Sequence, residues 1–211
     1  AGGEIEIPET NERIVETGAG ERYRYESLVS TVPLPKLLNL IERDQPVARC
    51  WTAGLRHVNV YNLNLTLSKP PTWDWQWLYL PEPEFACYRI GVSSNISPAL
   101  APAGACTIYT EDSYLPDEPF DERSVREAIL KDVRRLGLLR EGVEIIDETP
   151  IDITCAYVVH DHFRQTHLGD IHAWLQRRGI ISTGRWGEWT YGGMEDAMRQ
   201  GRATSSSLDA K

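Results

Sequence analysis

The feature that most constrains the fold is an alternating run in the middle of the chain. From His57 to Leu67 it reads HVNVYNLNLTL, with apolar and polar residues in turn and a change of phase near Tyr61. This period of two is typical of a strand that buries one face. The segments WQWLYL, ACYRIGVS and ACTIYTEDSY follow it with strand character. We therefore predict a mostly antiparallel sheet.

Helical patterns flank these strands. The segment LPKLLNLIERD, directly after a strand ending in STVP, has leucines at helical spacing. A second helix is expected after the N-cap Asp121, because apolar residues then recur along one stripe. We expect helices near residues 34–43, 121–136 and 169–178. The predicted fold class is α+β, with a mixed, largely antiparallel sheet and flanking helices.

Composition excludes several kinds of protein. There are 31 acidic and 22 basic residues, a formal net charge of -9, and no basic cluster, so we expect no nucleic-acid partner. No apolar run is long enough for a membrane span. The four cysteines lack CxxC spacing and the sequence shows no signal-peptide pattern, so we expect buried thiols and a cytoplasmic protein.

The segment Gly184 to Ser205, GRWGEWTYGGMEDAMRQGRATS, carries the most chemical information. Two glycines, Gly192 and Gly193, precede an expected helix with acidic residues in its first turn. A helix start without side chains in front of it can approach an anionic group such as a phosphate or the edge of a reduced flavin. Ordinary turn chemistry with acids that complement the helix dipole explains the same residues. The residues alone leave both alternatives open.

The order of residues in this segment resembles the C-terminal flavin segment of FAD-dependent amine oxidase-like proteins, near protoporphyrinogen oxidase and UDP-galactopyranose mutase. The resemblance implies that backbone around Gly193 meets the flavin ring, that Arg185 lies close to flavin and substrate as the catalytic residue, and that aromatic side chains line the region. The implied flavin-contacting positions are Gly184, Arg185, Trp189, Tyr191, Gly193, Met194 and Glu195.

Two further stretches carry the same resemblance. The run RYRYESLVSTVPLPKLL resembles the element by which such chains return to the flavin domain, which implies that Ser30, Thr31 and Pro33 border the cofactor. The stretch WLYLPEPEFACYRIGVSSNISPALAP resembles a substrate-domain pattern of the mutase-like members. Together they imply a hairpin and returning strand over 1–33, a substrate-binding domain over 34–182, the flavin segment over 183–204, and a flexible tail over 205–211.

The chain departs from that family in lacking a dinucleotide-binding fingerprint. Its one glycine pair of this kind, Gly18-Ala19-Gly20, is followed by Glu-Arg-Tyr-Arg without a third glycine or a helical pattern, so it predicts a hairpin turn. A complete Rossmann domain is therefore not expected. A split subunit, a cleavage product, an excised domain and a degenerate relative are the alternatives. We expect weak FAD binding or none by the chain alone, and an exposed apolar surface where the flavin domain would dock.

The resemblance implies the substrate-binding part of an FAD-dependent oxidoreductase or flavin-dependent mutase, with FAD as cofactor. Its partners would be a small-molecule substrate and an FAD-binding chain or N-terminal half, as a homo- or hetero-oligomer. Relatives handle amines, porphyrinogens, polyenes and nucleotide sugars, and the mutase-like tail favours a sugar or glycan-pathway substrate. The alternative is a non-catalytic partner module for a separate flavin-binding chain.

Other chemistry has less support. His160 and His162 flank Asp161 at ligand-like spacing, but no cysteine or second carboxylate lies near enough to complete a set, so no metal is predicted. There is no G-x-S-x-G elbow, which argues against a hydrolase. The tryptophan clusters around Trp75 and Trp186 are more typical of a core than of a ligand platform.

Overall fold

The computed structural model describes residues 13–41 and 46–209. The expected strand around EIEI, residues 4–7, and the end of the expected tail, 210–211, lie outside these ranges. The chain divides into two compact units. The first combines the segments 1–56 and 157–211, and the second consists of residues 57–156.

Within the described ranges, the strands are β1 (Ile14–Glu16), β2 (Arg22–Arg24), β3 (Leu28–Ser30), β4 (His57–Leu67), β5 (Trp77–Tyr79), β6 (Arg89–Val92), β7 (Cys106–Tyr114), β8 (Ile145–Val158) and β9 (Ile180–Ser182). The helices are α1 (Leu34–Ile41), α2 (Pro46–Gly54), α3 (Ser93–Ile96), α4 (Glu122–Arg135), α5 (His162–Arg177), α6 (Gly184–Gly187) and α7 (Met194–Asp209), with a 3-10 turn at Pro98–Leu100.

The second unit is built on a five-stranded sheet in the order β5-β6-β7-β4-β8. Strand β4 pairs with β7 in antiparallel register, with Leu65 opposite Ile108, and β6 is antiparallel to both β5 and β7. One sheet face is aliphatic and packs with the buried stripe of α4, which includes Ile129 and Val133. The alternating run therefore forms the expected half-buried strand, and the predicted α+β fold is confirmed.

The first unit joins distant segments of the chain. Strand β3 pairs in parallel with β9, and α1 buries Leu34, Leu37, Leu38 and Ile41 as its spacing predicts. The indoles of Trp51 in α2 and Trp174 in α5 meet edge to face at 5.8 Å. Gly54 lets the Phe163 ring lie against the α2 backbone, since a Cβ there would come within 2.2 Å of that ring. This unit thus has its own packed interior.

Strands β1 and β2 form an antiparallel hairpin. Its turn contains Gly18 to Gly20, and Gly20 has the positive φ of +79° that glycine adopts readily. The next element is β2, a strand, whereas a phosphate-binding loop leads into a helix. The glycine pair is a hairpin turn, as the sequence indicates.

Three local expectations need correction. Helix α5 begins at His162 and not near Gly169, because the Asp161 carboxylate accepts a hydrogen bond from the Arg164 amide and caps the helix there. The alternation from Ile151 onward breaks at Cys155, whose φ of 58° interrupts the pleat, and Ile151 is 46% exposed. Of the four cysteines, Cys50 is exposed and the others are buried.

The boundaries of the units differ from the expected 34–182 substrate domain, since α1, α2 and α5 belong to the first unit. Helix α7 continues through residues 205–209 of the expected flexible tail. Trp73 and Trp75 pack against the core of the second unit, whereas Trp77 is half exposed. No helix in the described part of the chain is both long and apolar enough to cross a membrane.

Candidate functional site

The candidate site begins where the parallel strands β3 and β9 end. Ser30 and Ser182, the last residues of the two strands, are register partners, and the Thr183 amide donates to the Ser30 carbonyl over 2.9 Å. The Ser182 hydroxyl donates to the Gly187 carbonyl over 2.8 Å. Carboxyl ends of neighbouring parallel strands are where α/β proteins commonly place ligands. The fold therefore brings Ser30 and Thr31 beside Gly184, far apart in sequence.

The chain leaves β9 through a tight connection. Gly184 has a φ of +81°, a conformation that favours glycine, and starts the short helix α6. Trp189 then adopts a φ of 52°, which is rare for a bulky residue and marks a strained turn. Its indole is fully buried, and the Arg164 Nε donates to its carbonyl over 2.7 Å. These contacts stabilise the strained turn.

Arg185 lies among aromatic rings. Its guanidinium carbon is 5.1 Å from the ring centre of Tyr157, 5.4 Å from that of Trp186 and 5.0 Å from that of Tyr191. The rings of Tyr157 and Tyr191 stack at 6.1 Å. Arg185 also donates to the Gly192 carbonyl over 3.4 Å. Cation–π contacts hold the charge in one place while leaving it electrostatically active.

Helix α7 starts directly beyond this cluster. The Gly193 amide donates to the Asp196 carboxylate over 2.8 Å, a capping contact of the kind that satisfies one orphan donor of a helix start. Glu195 pairs with Arg199 over 2.6 Å. Met194 is 86% exposed. The helix start thus presents backbone and an open surface, with two acidic side chains beside it.

Polar contacts attach α7 to the rest of the site. Gln200 donates to the Glu188 carboxylate over 2.9 Å, and the Thr204 hydroxyl to that of Thr183 over 3.0 Å. His172 lies close to Glu188, and burial lowers the pKa of His172 while Glu188 acts in the opposite direction. His172 is therefore held mostly neutral near pH 7.

The predicted positions are gathered in one region, with two differences in detail. Pro33 lies beyond β3, and its carbonyl accepts the Leu37 amide of α1. The buried Trp189 indole cannot line an open surface of this chain, unlike the ring of Tyr191, which is 67% exposed. Sequence reasoning missed Tyr157 as a ring beside Arg185, because the residue lies in the strand whose alternation is broken upstream.

An open depression of about 400 Å³ is lined by His160, Asp161, His162, Arg164 and Gln165. Asp161 is engaged in capping α5. Across residues 13–41 and 46–209, no group of three or more His, Cys, Asp and Glu side chains is arranged to hold a metal ion.

Solved structures of other proteins share this architecture. No family model matches the sequence, and no curated protein matches it. Among solved structures, a reduced UDP-galactopyranose mutase matches with a TM-score of 0.88 at 23% identity, over 99% of this chain and 46% of that one. The chain shares its fold with this enzyme.

Two other structures agree. A protoporphyrinogen oxidase-like protein of Exiguobacterium sp. 255-15, described as putative, matches with a TM-score of 0.76 at 10% identity, over 97% of this chain and 45% of that one. A CLA-producing fatty acid isomerase of P. acnes gives a TM-score of 0.67 at 18% identity, over 96% and 46%. This chain spans about half the length of each. The resemblance drawn from the sequence is confirmed at the level of fold.

Proposed function

We propose that this chain forms the substrate-binding and flavin-contacting part of an FAD-dependent, amine oxidase-like oxidoreductase or mutase acting in the cytoplasm. The observation that carries the proposal is the convergence of three segments: the end of β3 with Ser30, the turn after β9 with Arg185, and the start of α7 at Gly193. They come from both ends of the chain, and the sequence resemblance assigned a cofactor contact to each.

The start of α7 fits a planar, electron-rich ring in two respects. A Cβ added at Gly193 would meet nothing closer than the Asp196 carboxylate at 3.9 Å, so the backbone has open space in front of it. The Arg185 guanidinium lies next to the same turn. The carboxylate of Asp196, however, competes with any anionic group for this helix end. We therefore assign the principal positive charge of the site to Arg185.

A bound flavin supplies the two-electron redox chemistry that the side chains of the site lack. The chain's own residues would position the flavin ring and the substrate and polarise them. Arg185 would stabilise negative charge on the ring edge or on the substrate, and Tyr157 and Tyr191 hold its guanidinium in place. Ser30 and Thr31 would border the ring through the end of β3. The buried turn at Trp189 holds these groups at fixed positions relative to one another.

The pyrophosphate of FAD needs a glycine-rich loop that leads into a helix. In the described residues the glycine pair forms a hairpin turn and leads into β2. We propose that a separate FAD-binding chain, or another part of a longer polypeptide, holds the dinucleotide. A small-molecule substrate with a sugar part fits the likeness to the mutase fold.

A second candidate is a non-catalytic partner module. Met194 is 86% exposed and Met198 is 68% exposed, one helical turn apart on α7. Apolar side chains gathered on an open helix face suit a protein contact. In this alternative the chain stabilises a flavin-binding partner without contacting the flavin ring.

The test measures flavin in two settings. The purified 211-residue chain alone should retain little or no FAD, because the pyrophosphate lacks its helix start and glycine loop. With an FAD-binding partner, or joined to such a domain, Gly193→Val should weaken FAD retention and shift the flavin absorbance spectrum. Met194→Leu is the matched control, since the contact there runs through the backbone. Valine at Gly193 meets open space in this chain, so its folding should be intact.

Arg185→Ala in the same complex should slow flavin reduction about tenfold or more, because it removes the guanidinium that reaches the Gly192 carbonyl at the start of α7. Tight, stoichiometric FAD on the chain alone would contradict the need for a partner. If Arg185→Ala and Gly193→Val both keep wild-type FAD affinity and turnover, the segment 183–204 has a structural role only. That result would favour the partner module.

A further inference from the structure

The turn that follows α6 is held by side chains of α5. The Arg164 Nε donates to the Trp189 carbonyl over 2.7 Å, and the backbone of the preceding residue, Glu188, forms a hydrogen bond with His172. Arg164 and His172 both belong to α5 and lie about two helical turns apart. One helix thus holds two successive peptide units of a turn in which Trp189 has the strained φ of 52°.

The Glu188 side chain joins this turn to α7. One carboxylate oxygen accepts a hydrogen bond from the Gln200 amide of α7 over 2.9 Å, and the other accepts one from the Thr183 hydroxyl over 3.4 Å. Thr183 in turn accepts a hydrogen bond from the Thr204 hydroxyl of α7 over 3.0 Å. Both polar contacts that attach α7 therefore converge on one carboxylate.

The Gln200 contact contributes less than its length suggests. In the described part of the chain, the carbonyl oxygen of the Gln200 amide is buried without a hydrogen-bond partner. A buried acceptor without a partner is unfavourable, and it offsets part of what the amide donor gains. The net stabilisation of the attached helix is therefore small, so a change of one charge beside Glu188 can shift it.

His172 can supply that change of charge. Its ring is partly buried, and burial lowers its pKa, whereas the Glu188 carboxylate and backbone raise the pKa and Arg164 lowers it. Gln200 and Thr183, the partners of the carboxylate, do not titrate. The ring is therefore neutral while α7 is attached at pH 7, and a proton that it takes up at lower pH is attracted by Glu188.

We propose that His172 is a positioning residue for the start of α7, and that its protonation detaches α7 by drawing the Glu188 carboxylate away from Gln200. A hydrogen bond from an imidazolium is charge-assisted and is stronger than the bonds from neutral donors that the carboxylate accepts in the attached state. The detached state, in which Glu188 is free to pair with the ring, binds the proton more tightly. Proton uptake therefore shifts the equilibrium toward detachment.

The inference rests on the proposed function only for its consequence. If the start of α7 contacts a flavin, detachment moves the Gly193 backbone away from Arg185, which donates to the Gly192 carbonyl over 3.4 Å. A proton on His172 then weakens the flavin contact of this chain. The attachment itself needs no flavin, so it is tested on the purified chain without FAD. It can fail while the flavin proposal stands, and it can hold while that proposal fails.

Hydrogen exchange followed by mass spectrometry on the purified 211-residue chain measures the attachment of α7 at pH 7.5 and pH 5.0. Protection factors are compared, since they remove the direct effect of pH on the exchange chemistry. Protection along α7 should fall about fivefold at pH 5.0, the effect of one lost hydrogen bond, and protection in α4 should be unchanged. NMR titration of the His172 ring should show the same midpoint as the fall in protection, below pH 6.5.

Two variants separate positioning from simple packing. His172→Gln keeps a side-chain N–H for the Glu188 backbone but takes up no proton, so α7 should be as protected at pH 5.0 as at pH 7.5. Glu188→Gln keeps an acceptor for Gln200 but removes the charge that attracts the ring. The fall should then disappear while His172 still titrates, at a lower pH than in the wild type. His162→Gln is the matched control, because it removes an exposed histidine from the same helix and should leave the fall intact.

The proposal is overturned if α7 is equally protected at both pH values in the wild type, or if the fall persists in His172→Gln. It is also overturned if Glu188→Gln keeps a fall of wild-type size, or if α4 loses protection together with α7, which would indicate global unfolding. Circular dichroism at pH 7.5 checks that both variants fold. The wild-type comparison of α7 with α4 is independent of that result.

Discussion

Helices α4 and α7 are similar in length but are held in opposite ways. Helix α4 of the second unit buries Ile129, Leu130 and Val133 in an aliphatic core, with Asp121 capping its first turn. Helix α7 of the first unit has no buried residue in its described part, and its polar side chains Gln200 and Thr204 attach it.

This contrast distinguishes α4, which is part of a buried core, from α7, which lies on the surface of its unit. Burying a large aliphatic side chain contributes about 1.5–3 kcal/mol, whereas a net hydrogen bond contributes about 0.5–1.5 kcal/mol. Helix α4 is therefore expected to open only with its whole unit, and α7 to open locally. A loosely attached helix with Met194 and Met198 facing outward is suited to contacts outside this chain.

The largest expected effect tests the core side of the contrast. Ile129→Ala removes a fully buried side chain from α4, so the free energy of unfolding should fall by about 2–5 kcal/mol through lost burial and a residual cavity. Met198→Ala in α7 removes a side chain that is 68% exposed and should change it by less than ~0.5 kcal/mol. Urea unfolding monitored by circular dichroism measures both.

Equal losses of unfolding free energy in Ile129→Ala and Met198→Ala would contradict the proposed difference between the two helices. Since the chain has two compact units, two unfolding transitions are expected to be resolved. The Ile129→Ala loss should then appear in the transition of the second unit alone.

Helix α4 can be predicted from the sequence because its apolar stripe and its cap are both local signals. The same holds for α1 and for β4. The start of α5 is harder to predict because its apolar stripe is strongest after Gly169, so the local cap signal at Asp161 has no clear stripe directly behind it. Strand β8 passes through Pro150, which an edge strand tolerates and which sequence reading takes as a break.

The candidate site was accessible from sequence only through its glycines and its resemblance to a family. Parallel pairing of β3 with β9 joins residues about 150 positions apart, and no local pattern reports it. The left-handed conformation of Trp189 depends on burial of its indole and on a hydrogen bond from Arg164, a residue of another helix. Long-range contacts of this kind explain why Tyr157 and Arg164 were missed.

A smaller effect tests the polar attachment of α7. Gln200→Ala and Thr204→Val each remove one of its hydrogen bonds, to Glu188 and Thr183 respectively. Each should cost about 1 kcal/mol, and most of that loss should be local. Native-state hydrogen exchange should therefore show roughly fivefold faster exchange along α7, with α4 amides unchanged.

Ser206→Ala, at an exposed position of the same helix, controls for general effects on helix propensity. If the two variants speed exchange in α4 as much as in α7, the helix unfolds with the core and the proposed independence of α7 is wrong.

The last test distinguishes the two units by the sign of their pH dependence and not by its size. In the second unit, burial raises the pKa of Asp112 in β7 from 3.8 to about 6, partly opposed by a backbone hydrogen bond from Ser113. The folded state then binds a proton more tightly than the unfolded chain, so this group adds stability as pH falls from about 6 to about 4. In the first unit, burial lowers the pKa of His172 below 6.5. The unfolded chain is there the better proton acceptor, so stability is lost as pH falls through 6.5.

Variants isolate these two contributions from other titrating groups. Asp112→Asn should stabilise the second unit at pH 7 by about 1–2 kcal/mol, a figure reduced for partial solvent screening, and should have little effect at pH 4. His172→Gln should flatten the loss of stability of the first unit between pH 7 and pH 5. Urea unfolding of each variant and the wild type at pH 4, 5, 6 and 7 gives the differences. A buried acid and a buried base should change the free energy of unfolding with pH in opposite directions. If both variants change the pH dependence in the same direction, or if neither changes it, these two side chains titrate as if exposed.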